Sequence, residues 1–404
     1  MAVVEDKKKY RPLEPILIQI NKDFISLSKD EMKRNNALLM SLMDLLIPEM
    51  KRKDPLFKEM YTKVFYGGSY YDKLRVKEPN EFDLDLLLTL PVLSEPLVSI
   101  ANVPGYTTLK LNNLSALNKH ADLAKRYSGL SKLLENEKDC YLDNDKVRRW
   151  MESVVTLALN TFPHTKGNYE LKLPQGKFIA KVHKSGPAFT LKLNGTIDRV
   201  DIAVDIDLVP CFMFNIDKLP VKKLNSGFKS KTFFIVPKPI KNNSAINCAN
   251  RYWRLSYQEQ EREIMECKNN QYLKPTIKLL KKLKEMDHPY IASYFIKTVV
   301  IWEAEKRKDD ESFWNTSFSY VFMTCLKKYC ECIENKKIPY YWNKNNNLIQ
   351  NISPVVLGNL KCRLNNIIKN IEKNMTDNPK IFAEYFLTEE EKLRLYSSLN
   401  LNIQ

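Results

Sequence analysis

Glycine is scarce in this chain of 404 residues: it has only 10, which excludes collagen-like and glycine-rich low-complexity architectures. No uncharged apolar run reaches the roughly 18 residues of a transmembrane helix, so no membrane partner is expected. The segment from Met1 to Lys9 lacks the apolar stretch of a signal peptide. The 8 cysteines show no paired spacing. Cys325, Cys330 and Cys332 cluster, but no histidine lies near them, which reads as a helix carrying reduced thiols. These absences point to the cytoplasm, with the nucleus as the other compartment that fits.

What is present is core material and positive charge. Hydrophobic residues make up 44% and aromatics 11%, enough to exclude global disorder. The length exceeds what one compact core usually serves, so two lobes are expected. Lys plus Arg is 64 against 48 for Asp plus Glu, a net charge of +16. That excess favours a polyanionic partner, and nucleic acid is the commonest.

Leu38, Leu39, Leu42, Met43, Leu45 and Leu46 form a helical stripe that Pro48 is expected to end. Lys51, Arg52 and Lys53, just beyond it, are the first candidates for sequence-independent phosphate contacts. Residues 61–90 read as a strand, a Gly67-Gly68-Ser69 turn, a charged segment, and a strand from Phe82 to Leu90 closed by Pro91. Asp143 and Asn144 look like the cap of a helix to about Leu159. Segments 168–173, 177–183 and 187–193 alternate like strands, and Arg199 to Val209 forms another, ended by Pro210. After residue 240 the pattern turns helical, with starts at Ser256, Asp287 and Thr388. The fold class is α/β (α+β): a mixed β-sheet lobe with a long N-terminal helix over 1–240, then an α-helical lobe over 241–404.

Two strands carry unusual charge. Alternation puts Glu81, Asp83 and Asp85 on one face of the first, opposite Phe82, Leu84, Leu86 and Leu88. In the second, Asp201, Asp205 and Asp207 share a face, with Val200, Ile202, Val204, Ile206 and Leu208 behind them. Aspartate is disfavoured in strands, and aligned like charges repel. One such strand is as well explained by an ordinary wet face. Two of them in a basic chain point to cations, and hard oxygen donors suit Mg²⁺ or Mn²⁺. Alternation alone does not separate Asp205 from Asp207 as the third ligand. A Gly-Gly-Ser turn ahead of the first acidic strand lets the backbone approach a phosphate closely. The combination describes nucleotidyl transfer with two metal ions.

Gly68-Ser69-Tyr70-Tyr71-Asp72, followed by Asn80-Glu81-Phe82-Asp83, resembles the active-site stretch of the cyclic GMP–AMP synthase family. So do Asp207-Leu208-Val209-Pro210, Trp253-Arg254-Leu255-Ser256-Tyr257 followed by Glu261, and Ser293-Tyr294 followed by Lys297-Thr298. The resemblance implies that Glu81, Asp83 and Asp207 are catalytic and ligate two Mg²⁺ or Mn²⁺ ions. It also implies that Gly68 and Ser69 meet the triphosphate, Arg254 a base or phosphate, and Lys278 a phosphate. Tyr294 would stack on a base, with Glu261 and Ser293 in the same nucleotide-binding set. On helical spacing alone, Tyr294 is equally a core residue beside Ile291, Phe295 and Ile296.

The vertebrate enzyme carries a zinc-binding insertion after the position of Glu261. Here that region reads Cys267-Lys268-Asn269-Asn270-Gln271, with one cysteine and no histidine, so no zinc is expected. The chain is therefore more similar to the insect receptors of this family, some of which respond to double-stranded RNA. The resemblance implies a cyclic dinucleotide synthase using ATP and GTP, activated by double-stranded RNA rather than DNA, in innate immunity. A linear polymerase of the oligoadenylate-synthase type and a non-catalytic scaffold are the rival readings; the three carboxylates speak against the scaffold.

Overall fold

The computed structural model describes residues 8–76, 80–90, 98–99, 105–112, 114, 119–136, 138–185, 188–219, 227–238, 240, 248–266, 270–287, 290–308, 310 and 312–401. Its main helices are α1 (Glu14–Ile20), α2 (Lys29–Lys53), α3 (Asn144–Leu159), α4 (Gln258–Met265), α5 (Leu273–Asp287), α6 (Ser293–Lys306), α7 (Phe318–Glu334), α8 (Pro354–Asn374) and α9 (Glu389–Leu401). The chain divides into two compact units. One holds Ser28–Asp72 and Pro79–Gln260; the other holds Met1–Leu27, Lys73–Glu78 and Glu261–Gln404. The division thus falls at Gln260 rather than at the expected residue 240. A strand at Tyr252–Ser256 pairs back into the sheet and carries the chain past 240 with it.

The first unit is built on an 11-stranded sheet. Strands β1 (Tyr61–Gly67) and β2 (Glu81–Leu88) pair antiparallel, and β2 runs parallel to the long β9 (Val200–Asn215). On one side of β9 the order continues through β8 (Ala188–Ile197), β7 (Gly176–Ser185), β6 (Asn168–Leu173) and β5 (His164–Thr165). Past the end of β8, the same edge of β9 pairs with β10 (Thr232–Val236), and the order runs on through β11 (Tyr252–Ser256), β4 (Tyr106–Thr108) and β3 (Val98–Ser99). The last two lie in the polar, leucine-rich stretch between Pro91 and Asp143. Phe82, Leu84, Leu86, Ile206 and Leu208 are buried to 0% exposure, so the apolar face read from alternation is the core face.

Two prolines do not act as the stops expected of them. Helix α2 runs through Pro48 to Lys53. A proline inside a helix costs about 3 kcal/mol. Met50 and Ile47, both buried beside it, each return roughly 1.5–3 kcal/mol, so continuing the helix wins. Strand β9 likewise continues through Pro210 to Asn215. Asp205 N–H donates to the Asn80 carbonyl, so odd residues of β9 aim their backbone at β2. Pro210 points the other way, past the end of the β8 ladder at Leu208, where its missing N–H breaks no ladder bond.

The second unit is α-helical, with α5 to α8 packed round Leu280, Val300, Phe322, Leu326 and Leu364. Asp287 ends α5 instead of starting a helix; the next begins at Ser293. Thr388 does cap α9, its hydroxyl accepting from Glu391 N–H at 3.3 Å. Cys325 and Cys330 are buried free thiols on α7, as the clustered cysteines suggested. Among the described residues no helix is long and apolar enough to cross a membrane.

Candidate active site

The sheet brings the two acidic segments together by parallel pairing. In register, Glu81 stands beside Asp205 and Asp83 beside Asp207, and neighbouring strands lie about 4.8 Å apart. On its other edge Asp83 faces Gly67 of β1. The chain then turns through one helical turn, Gly68–Tyr71. Tyr70 fixes that turn: its ring meets Phe82 edge-on at 4.8 Å and its hydroxyl donates to the Met32 carbonyl at 3.1 Å. Ser69, half-buried, follows Gly68 directly.

Gly68 has φ +70°, and a Cβ built there would lie 1.7 Å from Asp83 Oδ2. The carboxylate therefore occupies the space that any other residue would fill. Gly68→Ala should cut turnover by about 100-fold, because the methyl group and the left-handed backbone together displace Asp83. Steady-state rates of a folded variant check this; turnover within about threefold of wild type would separate Asp83 from the chemistry.

Asp207 accepts a hydrogen bond from Thr190 Oγ1 at 2.5 Å. Its carboxyl lies above the usual range, raised by burial and then by the charges of Glu81 and Asp205, against the pull of Thr190. Asp205 is instead paired with Lys192 at 3.5 Å. The like-charge set of Glu81, Asp83 and Asp207 offers hard oxygen donors, the chemistry that suits Mg²⁺ or Mn²⁺. Among the described residues, no three His, Cys, Asp or Glu side chains are drawn to one point as a metal set. The donors are of the kind that suits divalent ions, and strand register sets Glu81 beside Asp205 and Asp83 beside Asp207.

Asp85, on the same face as Glu81 and Asp83 by alternation, is buried. It is 5% exposed and accepts from Gln258 Nε2 at 2.7 Å. Burial above all, with the charge of Asp83 adding to it, pushes its carboxyl up to about 7. Asp201 is exposed and accepts from Thr196 at 3.2 Å. Arg254 lies on β11 between Val236 and Tyr106.

In the helical unit, Glu261 is buried and accepts from Tyr294 Oη at 2.7 Å, Trp342 Nε1 at 2.9 Å and Lys297 Nζ at 2.8 Å. Tyr294 is half-buried and Ser293 exposed, so Tyr294 is not a plain core residue. Lys278 is half-buried; burial, with Lys274 next to it, pushes its ammonium down to about 8. Lys281, also lowered to about 8 chiefly by burial, donates to the Leu74 carbonyl at 2.6 Å.

Comparison with known proteins decides the family. Residues 70–267 match the Mab-21 protein nucleotidyltransferase domain and 272–387 the Mab-21 HhH/H2TH-like domain. A cyclic GMP-AMP synthase-like receptor of Aethina tumida is 42% identical over 97% of this chain and 96% of its own length. One from Tribolium castaneum is 44% identical over 94% and 93%, and one from Nicrophorus vespilloides 34% over 93% and 98%. The chain belongs to the cyclic GMP-AMP synthase-like receptor family. Its nucleotidyltransferase domain and its helical C-terminal domain correspond to the two parts of the expected α/β fold.

In this receptor-family chain the basic residues ending α2 are partly engaged. Arg52 pairs with Glu49 at 2.5 Å, and Lys51 lies over the Tyr61 ring at 4.5 Å. Residues 267–269, where the vertebrate zinc insertion would fall, lie outside the described residues. Sequence reading missed Thr190, Gln258 and Trp342. Thr190 becomes visible only through the β8–β9 register opposite Asp207, and Trp342 lies 81 residues from its partner Glu261. Gln258, directly after the Trp253–Tyr257 motif, carries no charge to mark it.

Proposed function

We infer that this chain joins ATP and GTP into a cyclic dinucleotide and does so as a cytoplasmic innate immune sensor whose activator is double-stranded RNA. The observation that carries the reading is the parallel pairing of Asp83 with Asp207 beside the Gly67-Gly68 turn. The names of the relatives support the product class. The net charge of +16 supports a polyanionic activator, and A-form RNA read by shape and phosphates suits Lys51, Arg52 and Lys53.

In the reaction, a sugar hydroxyl of one nucleotide displaces pyrophosphate from the α-phosphate of the other. A second displacement within the linear product closes the ring and releases the second pyrophosphate. Glu81, Asp83 and Asp207 would hold two Mg²⁺ or Mn²⁺ ions, which supply charge neutralisation at the attacking and leaving oxygens. Gly68 lets the backbone come close to the phosphates, and the Ser69 hydroxyl donates to their oxygens. Thr190 holds the Asp207 carboxylate in one orientation. Lys278 and Arg254 counter phosphate charge. The Tyr294 ring, anchored through its hydroxyl by Glu261, offers a face to a base.

The test is incubation with ATP, GTP and Mg²⁺ or Mn²⁺, with double-stranded RNA or DNA in parallel, and mass analysis of the products. The expected result is a dimer without terminal phosphates, formed with RNA. A ladder retaining a 5′-triphosphate would replace this reading with linear polymerisation. No product under any condition would leave a scaffold.

A further inference from the structure

The carboxylate face of the sheet changes character along β2 and β9. At one end stand Glu81, Asp83, Asp205 and Asp207; two to four residues further on, Leu87, Val209 and Cys211 form a separate apolar cluster with Phe65 and Phe234. Asp85 sits at that border, buried, and a carboxyl there needs a partner. It has two, the Cys211 thiol and the carboxamide of Gln258, the first residue of α4. The other end of the same carboxamide lies over the turn: a Cβ built on Gly67 would meet Gln258 Oε1 at 2.5 Å.

One side chain therefore touches both the strand of Asp83 and the backbone of the turn that Asp83 packs against. The first turn of α4 is itself pinned to β10. Glu259 accepts from Ser230 Oγ at 2.5 Å and Thr232 Oγ1 at 2.6 Å, and Gln260 donates to the Thr232 carbonyl at 2.6 Å. A side chain so rigidly mounted fixes what it contacts. We propose that the Gln258–Asp85 pair is a positioning device that sets the Gly67-Gly68 turn against Asp83 and thereby tunes divalent-ion binding and turnover. Neither residue touches the reacting atoms; they act through Asp83 and Gly68. The proposal rests on the nucleotidyl-transfer reading for its kinetic part only.

The test measures Mn²⁺ affinity by electron paramagnetic resonance and turnover with ATP and GTP on the full chain. Gln258→Met keeps the volume and removes the donor. It should weaken Mn²⁺ binding and lower kcat about tenfold each, as loss of an outer-shell partner typically does, with KM for ATP within about twofold. Asp85→Asn still offers an oxygen to the Gln258 amide, so it should stay within about threefold of wild type. Gly67→Ala pushes on the carboxamide from the other side and should reproduce the Gln258→Met loss, which decides the matter if Gln258→Met fails to fold. Wild-type Mn²⁺ affinity in Gln258→Met or Gly67→Ala overturns the proposal, as does a fall in melting temperature alone. Asp85→Asn as damaging as Gln258→Met also overturns it, since charge and not the hydrogen bond would then be what matters. If wild type itself makes no product, the Mn²⁺ series still decides this point, and the synthase reading alone fails.

Discussion

Asp83→Ala and Asp207→Asn are each expected to leave a folded protein that makes roughly a thousandth of the wild-type product or less. Both carboxylates project from paired positions of β2 and β9 on the accessible face, with the core packed on the opposite one. Removing either costs little packing. Asp207 is instead a burden on the ion-free protein, since burial and then the charges of Glu81 and Asp205 hold its carboxyl above the usual range. A raised carboxyl costs stability at pH values above its unfolded value, so the cost is present at neutral pH and vanishes in acid. Asp207→Asn keeps an oxygen for Thr190 and removes the repulsion. Its melting temperature in chelator at about pH 7.5 should therefore match or exceed that of wild type. Added Mn²⁺ should raise the wild-type melting temperature by mass action and leave both variants unmoved. Product loss with a fall in melting temperature of many degrees would mark these residues as structural.

How much of this was legible in the sequence depends on which interactions are local. The acidic faces of β2 and β9 were readable because a strand's period of two needs no tertiary information. Their parallel alignment was not, since register depends on partners more than a hundred residues apart. The Asp143 cap and the capping role of Thr388 were readable for the same local reason. Pro48 and Pro210 misled because a local penalty was weighed without the burial of Ile47 and Met50, or the ladder gap past Leu208, that outweighs or removes it. Asp85 misled in the opposite sense: alternation placed it correctly with Asp83, but only the fold shows that the wet face has become an apolar floor there. Glu14 gave no signal at all, since its partners lie about 300 residues away.

Glu14→Ala should lower the stability of the protein by about 2–4 kcal/mol, among the largest losses available to any one surface-proximal side chain. Its Oε1 accepts from Phe318 N–H at 2.8 Å; its Oε2 accepts from Ser319 N–H at 2.8 Å, Ser319 Oγ at 2.6 Å and Ser317 Oγ at 2.7 Å. A carboxylate from α1 thus caps the 17-residue helix α7, where the helix dipole also favours negative charge. Burial pushes the Glu14 carboxyl up, but the bonds from Ser319, Ser317 and the two N–H groups outweigh it and hold it low. Glu372 on α8 does the same for the residues before α1. It accepts from the Tyr10 hydroxyl, from Lys327 at 2.7 Å and from Lys9 at 3.1 Å. These bonds overcome burial and bring it from 4.5 to about 2. In full that shift is worth about 3 kcal/mol, and solvent screening at a partly exposed site reduces it to about 1–2 kcal/mol. Depressed carboxyls stabilise above their unfolded values and lose that contribution as pH falls through the folded ones. The gap between wild type and Glu372→Gln in urea unfolding should accordingly be full at about pH 6 and shrink from about pH 5 towards about pH 2. Both residues tether the same short segment, so once one tether is cut the other holds less. Glu14→Ala combined with Glu372→Gln should therefore cost less than the sum of the two single changes, and a strictly additive result would mean that the segment is held elsewhere.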